Sequence, residues 1–357
     1  MSQNNEEKTF EQAIERMEEI ISRLSDGNLG IDESVALYEE GVKLAAFCDE
    51  KIKEAKRKIT LLQEKKMFDL SEKLRDYCEK VNNALDIAIE EKDEPAVRSM
   101  RYSVFAGGKR IRAAIVLAFC ELFGGDSKKA LPFACAIEMI HTYSLIYDDL
   151  PCMDDDVLRR GKPTNHVVFG EATALMAGAG LYARAFETVL GSADLSSEQK
   201  IEGMNILLSA SGLNGIISGQ MLDMDNKPGL TEEEVMRIHK LKTSAMLEAS
   251  AVLGCVAAEC TEKEKKIALS YAENIGLAFQ IKDDILDVCG TVEDMGKTLG
   301  KDKASMKTTF VDILGIDNAQ KEVDRLSEKA KESVSNIKGN EFLLSLAEYL
   351  ANRNTGL

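Results

Sequence analysis

Residues 146–163, IYDDLPCMDDDVLRRGKP, set Asp148, Asp149, Asp154, Asp155 and Asp156 within nine positions and follow them with Arg159, Arg160 and Lys162. Like charges this close raise one another's pKa and repel, so the cluster is costly unless cations occupy it. A solvated acidic turn is the plain explanation of such a run. A metal site that hands a phosphate-bearing ligand to the arginines is the sharper one. FQIKDDILDV (279–288) adds Asp283, Asp284 and Asp287 in a helical context, with Asp283 and Asp287 four apart on one face. Hard cations with oxygen ligands relieve repulsion at that spacing. In the first cluster Leu150 and Pro151 interrupt the helix, so Asp154 is presented from a turn. Two such clusters, each preceded by apolar helix, can face one another across a bundle.

Basic residues accompany the acidic ones. GGKRIR (107–112) joins flexible backbone to Lys109, Arg110 and Arg112, a suitable clamp for a diphosphate. KTS (242–244), GKTLGKD (296–302) and Lys307 supply further cations. DMDNKPG (223–229) has the acidic spacing of an EF-hand loop, but Pro228 stands at the required Gly and the match is discounted. His166 and His239 lack metal-ligand partners at useful spacing and are expected to be structural or exposed. No Walker loop and no G-x-G-x-x-G fingerprint occurs.

The elements that must position these residues read as all-α. Helical 3–4 spacings dominate, Pro is limited to five, and alternating β-branched runs are few. Thr9 and Gln12 form a capping box for a helix striped by Phe10, Ala13, Ile14, Met17, Ile20, Ile21 and Leu24. SDGNLG (25–30) stops it, and Asp32 caps a second helix whose Ile31, Val35, Tyr38, Val42 and Ile52 keep the same period. The pair predicts an antiparallel hairpin too small to be comfortable alone, so its stripe expects a partner. LLQEKKMFDL (61–70) is the best boundary; without Pro or Gly it can be bent or continuous helix. The expected domains are residues 1–66 and 67–357.

Composition sets the remaining bounds. A net charge of −16 argues against broad nucleic-acid or anionic-membrane binding, so no direct nucleic-acid contact is expected. No apolar run reaches the ~20 residues of a membrane span. The polar, acidic start reads as neither signal nor transit peptide. Eight cysteines without a C-x-x-C pair fit a reduced cytoplasm rather than zinc or disulfides.

Residues 9–62 closely resemble the small subunit of exodeoxyribonuclease VII, on FEQAIERMEEIISRLSDGNLGIDESVALYEEGVKLAAFCDEKIKEAKRKITLL. The resemblance implies a non-catalytic module that binds the large nuclease subunit. Residues 68–357 resemble the trans-isoprenyl diphosphate synthases, most closely the bacterial farnesyl diphosphate synthases. The carrying motifs are MRYSVFAGGKRIR, EMIHTYSLIYDDLPCMDDDVLRRGKPTNH, GQMLD, HKLKTSAM, FQIKDDILDV and GKTLGKD. The spacing of Asp148, Asp149 and Asp154, DDxxxxD, is the bacterial form.

That resemblance implies an isoprenoid-synthase helical bundle, a homodimer, and head-to-tail condensation of isopentenyl diphosphate with allylic diphosphates (dimethylallyl, geranyl), to farnesyl diphosphate. Asp148, Asp149, Asp154, Asp283, Asp284 and Asp287 would hold Mg2+ on the allylic diphosphate. Arg159, Lys242, Lys297 and Lys307 would contact the same group. Lys109, Arg112, His141 and Arg160 would bind isopentenyl diphosphate. Thr243 and Gln280 would lie near the reacting carbons, Gln280 also toward the departing diphosphate. Tyr143, with Ser144 beside it, would floor the product site. Ala113, Lys282 and Ala179 stand where relatives usually carry Pro, Gln and Asp. The alternatives are a class I terpene cyclase, which would alter the second acidic motif, and an assembly protein whose synthase domain is inactive or altered.

Overall fold

The computed structural model describes residues 10–25, 29–289 and 307–353, apart from the side chains at 11 and 54–69. The chain divides into two compact units, residues 1–69 and 70–357. Almost all of the described backbone is helical, as the spacing predicts.

In the first unit α1 (Phe10–Ser25) packs on the N-terminal part of α2 (Ile31–Ala88). Ala13 and Ile20 of α1 meet Leu37, Leu44 and Cys48 of α2, and Arg16 clasps Glu40 across the pair at 3.0 Å. The face of α2 that packs is not the one its strongest stripe suggested. Ile31, Val35, Tyr38 and Val42 are 52–84% exposed, because one partner helix covers only one side of α2. Helix continues unbroken through residues 61–70, where nothing in the sequence stops it.

The second unit is a helical bundle. Its elements are α3 (Pro95–Val104), α4 (Ile111–Leu122), α5 (Ser127–Asp148), α6 (Asn165–Phe169), α7 (Glu171–Gly191), α8 (Ser197–Ser211), α9 (Ile216–Met224), α10 (Glu232–His239), α11 (Ala245–Ala257), α12 (Glu262–Cys289), α13 (Phe310–Leu314), α14 (Ile316–Val334) and α15 (Glu341–Asn352). Helices α4, α5 and α11 are apolar on nearly every side, which places them at the centre. Each fully buried Leu, Ile or Phe there contributes about 1.5–3 kcal/mol over leaving it exposed. Helix α14 is amphipathic and buries Ala319, Val323, Leu326, Ala330 and Val334 against α12.

Two local departures from α-helix carry functional side chains. Between α10 and α11 the chain makes one π-helical turn, Lys240–Ser244. Between α5 and α6 a two-residue antiparallel ladder joins β1 (Leu158–Arg159) to β2 (Lys162–Pro163). Arg160 and Gly161, at φ +54° and +71°, form its turn, the left-handed pair that a tight hairpin requires. Among the described residues no helix is long and apolar enough to cross a membrane.

Candidate active site

Helix α5 ends where Pro151 forbids its continuation, and the following loop curls back. The Asp154 N–H donates to the Asp148 carbonyl at 2.9 Å, and the Asp155 N–H donates to Leu150 at 3.2 Å. The two extra residues of the motif therefore return Asp154 to the helix end. Burial pushes the Asp148 carboxyl up to about 6, with Lys242 pulling it down. Asp149, 3% exposed, is occupied: it takes Arg159 Nε at 2.8 Å and Nη2 at 2.7 Å.

The hairpin turn separates the consecutive arginines. Arg159, on β1, goes to Asp149, while Arg160 donates to the Gly107 carbonyl in GGKRIR. A β-carbon on Gly108 (φ +114°) would stand 2.7 Å from the Arg160 guanidinium, so this approach requires glycine.

Within GGKRIR only part of the expected clamp is available. Lys109 Nζ donates to Tyr349 Oη at 2.5 Å. Arg110 turns inward: it pairs with Glu138 at 3.3 Å and donates to Asn82 and the Val104 carbonyl. It fastens the loop instead of gripping a ligand. Arg112 Nη1 lies 3.3 Å from His141 Nε2. Arginine only donates, so Nε2 accepts and His141 carries its proton on Nδ1. Burial, then Arg112 and its neighbouring arginines, holds His141 neutral, well below the ordinary histidine range. The Nε of Arg112 is buried without a protein acceptor, a donor left for a ligand.

The second cluster lies in the last turns of α12. Asp283 takes Arg353 Nη2 at 2.5 Å. Asp284 faces inward: it accepts the Phe310 N–H at 3.0 Å and lies 3.6 Å from His239 Nε2. Asp287 is half-buried. In the π-turn, Thr243 donates to Gln280 Oε1 at 2.7 Å, which joins α12 to the turn. Lys242 Nζ and Lys307 Nζ both donate to Asp223 Oδ2 at 2.7 Å. Among the described residues no three His, Cys, Asp or Glu side chains converge enough to hold a metal ion by themselves. Lys297 and GKTLGKD lie outside the described residues.

Residues 94–342 match the model of the polyprenyl synthetase family. The chain belongs to that family. Residues 10–61 match the exonuclease VII small subunit, so the chain joins such a segment to a trans-prenyl diphosphate synthase. Geranylgeranyl pyrophosphate synthase 4 of Arabidopsis thaliana is 43% identical over 80% of this chain and 79% of its own length. The farnesyl diphosphate synthase of Bacillus subtilis is 40% identical over 79% of this chain and 97% of its own. A solved geranylgeranyl pyrophosphate synthetase from Pyrococcus horikoshii superposes with a TM-score of 0.75 at 31% identity, covering 81% and 99%. A farnesyl/geranylfarnesyl synthase from Zymomonas mobilis gives 0.71 at 31%, covering 80% and 99%.

In this synthase the three departures find plain settings. The Ala113 N–H donates to Glu138 Oε1 at 3.2 Å, a bond proline could not make. Lys282 reaches Gln320 on α14 at 2.8 Å, so its charge is tied to that helix. Ala179 is exposed on α7. Sequence reasoning missed Asp223, Glu138, Tyr349 and Arg353. Asp223 left a signal as the last residue of the GQMLD string, and Glu138 as the first residue of EMIHTYSLIYDDLPCMDDDVLRRGKPTNH. His239 is buried against Phe310, and burial lowers it to about 3. It is structural, as its spacing suggested.

Proposed function

We propose that the synthase domain condenses isopentenyl diphosphate head-to-tail with dimethylallyl and geranyl diphosphates, with Mg2+, to give farnesyl diphosphate. The observation that carries this is the division of the cations into two groups. Lys242 and Lys307 share Asp223, and Lys242 and Arg159 act on the carboxylates at the end of α5, while Lys109, Arg112 and Arg160 gather around the glycine loop. A condensation of two diphosphates needs two such seats.

Magnesium suits the donors, which are carboxylate oxygens. Asp148, Asp154, Asp283 and Asp287 would hold it. When bound it would stabilise negative charge developing on the departing diphosphate. Asp149 and Asp284 would act indirectly, by seating Arg159 and the Phe310 segment. Lys242, Lys307 and Arg159 would meet the same developing charge, so they favour the transition state over the substrate. The apolar helices around them would keep water from trapping the allylic cation. Thr243 and Gln280 would sit beside the reacting carbons.

The Tyr143 ring packs edge-on against Tyr147 at 4.8 Å and Tyr182 at 5.1 Å, and Tyr182 continues to Phe186 at 4.9 Å. An aromatic wedge fixed between α5 and α7 supports a floor near farnesyl length. Ser144 bonds back to the His141 carbonyl at 2.9 Å and would leave the floor to the ring. Full-length protein given labelled isopentenyl and allylic diphosphates should make farnesyl diphosphate with Mg2+ and nothing after chelation. Tyr143→Ala should lengthen the product. No condensation with any primer would reject the reading, and an unaltered product spectrum would reject the floor.

The N-terminal unit is proposed to be a non-catalytic docking module for an exodeoxyribonuclease VII large subunit, through residues 9–62. The exposed stripe of Val35, Tyr38 and Val42 supports α2 as its contact face. Val35→Glu with Val42→Glu should abolish capture of the large subunit while the helical signal of the chain is kept, because buried carboxylates would stand unpaired. Ile20, 2% exposed, belongs to the hairpin's own core, and Ile20→Glu should unfold the hairpin instead. Pull-down with the large subunit is the measurement; wild-type protein that captures none of it would end the docking reading. Leu175, Met176 and Leu208, 45–63% exposed on α7 and α8, support a homodimer of the synthase domain. Free thiols at all eight cysteines support a reducing, cytoplasmic setting.

A further inference from the structure

The loop DMDNKPG, set aside as a calcium site, has a different task. Its first residue, Asp223, holds Lys242 and Lys307, which lie 19 and 84 residues away in sequence, on a single oxygen. Burial would raise Asp223, but the two lysines outweigh it and keep the carboxylate ionised. The rest of the loop fixes the residue beside Lys307. Asn226 brackets Thr308, taking its N–H at 3.0 Å and donating to its carbonyl at 3.1 Å. The Thr308 hydroxyl donates to the Lys227 carbonyl at 2.6 Å and accepts the Gly229 N–H at 3.1 Å. Four bonds to a buried threonine leave the neighbouring lysine little choice of position.

Lys242 is seated from the same helix. Gly219, one turn before Asp223 on α9, faces the π-turn so closely that a β-carbon would lie 2.3 Å from the Lys242 nitrogen. Gly219 thus admits the backbone of Lys242 while Asp223 receives its ammonium. Each lysine ammonium has three donors and spends one on Asp223, which leaves two apiece for a ligand. Two bare ammonium groups on flexible four-carbon stems would repel and drift apart; the shared carboxylate holds them together.

We propose that Asp223, with Gly219 and Asn226, is the positioning element that gathers Lys242 and Lys307 into one dicationic seat for the allylic diphosphate. This rests on the assignment of those lysines to the allylic substrate. In the Mg2+-loaded full-length enzyme, Asp223→Asn should raise the KM for geranyl diphosphate about tenfold or more, the scale of losing a buried charge partner. The KM for isopentenyl diphosphate should hold within about twofold, since Lys109, Arg112 and Arg160 are seated elsewhere. Asn226→Leu should act in the same direction through Lys307 alone. Inorganic diphosphate binding, measured by calorimetry, should weaken in parallel, and Asp223→Glu should recover part of the loss. In a Lys242→Met, Lys307→Met background, Asp223→Asn should add nothing, a result that a general packing role would not give. A geranyl diphosphate KM unchanged or lowered in Asp223→Asn, or both KM values raised together with a lower melting point, overturns the inference. If Lys307→Met and Lys242→Met themselves leave that KM unchanged, the assignment of the lysines falls, and the inference with it.

Discussion

Asp148→Asn and Asp283→Asn should each lower the rate of prenyl transfer by at least ~10²-fold, the scale of removing one principal electrostatic stabiliser at a developing charge. The amide keeps the shape of the carboxylate and loses the charge that would hold a divalent cation. The two variants should differ in stability. Asp148 is buried and its ionised form is strained, since burial pushes it up to about 6, so a neutral side chain relieves the folded protein. Asp283 instead neutralises Arg353, whose side chain is 1% exposed and whose Nε and Nη1 already lack partners. Asp283→Asn should therefore lower the melting temperature, while Asp148→Asn holds or raises it. Steady-state turnover over a Mg2+ titration, read beside thermal denaturation, checks both parts. Wild-type turnover in the two variants would sink the carboxylate assignment.

Glu138→Ala carries the largest expected cost to the fold. Arg110 and Glu138 are both 3% exposed at the side chain, and Glu138 also accepts the Ala113 N–H. Deleting one partner leaves a guanidinium buried without its counter-charge, at a cost of about 3–5 kcal/mol. That is a large share of the ~5–15 kcal/mol that holds a typical domain folded. Arg110 sits in the left-handed region at φ +51°, between Lys109 and Arg112, so its release should also loosen the glycine loop. The expected result is a fall in melting temperature together with a raised KM for isopentenyl diphosphate. Arg110→Met combined with Glu138→Leu should recover most of the stability and not the KM, because apolar replacements fill the site without fixing the loop. Glu138→Ala that melts with wild type would show the pair to be dispensable.

By itself, the sequence determined the helical class, the two-part organisation, both acidic motifs and most of the cations that accompany them. Those features are local: residue type, a period of three to four, and a proline that must end α5. Tertiary structure decided which of them are available. Arg110 reads like its neighbours Lys109 and Arg112 yet turns to Glu138, a residue on α5. Asp149 and Asp284 read as ligands, and the fold gives each a protein partner as well, Arg159 for one and the Phe310 N–H for the other. On α2 the period marks two apolar faces, and only the position of α1 selects Leu37, Leu44 and Cys48 as core over Val35, Tyr38 and Val42. Arg353 meets Asp283 across 70 residues and Lys307 meets Asp223 across 84. A periodic pattern fixes the phase of a side chain around its own helix. It carries no information about which distant charge the packed bundle will bring opposite, and at this site those distant charges set the working geometry.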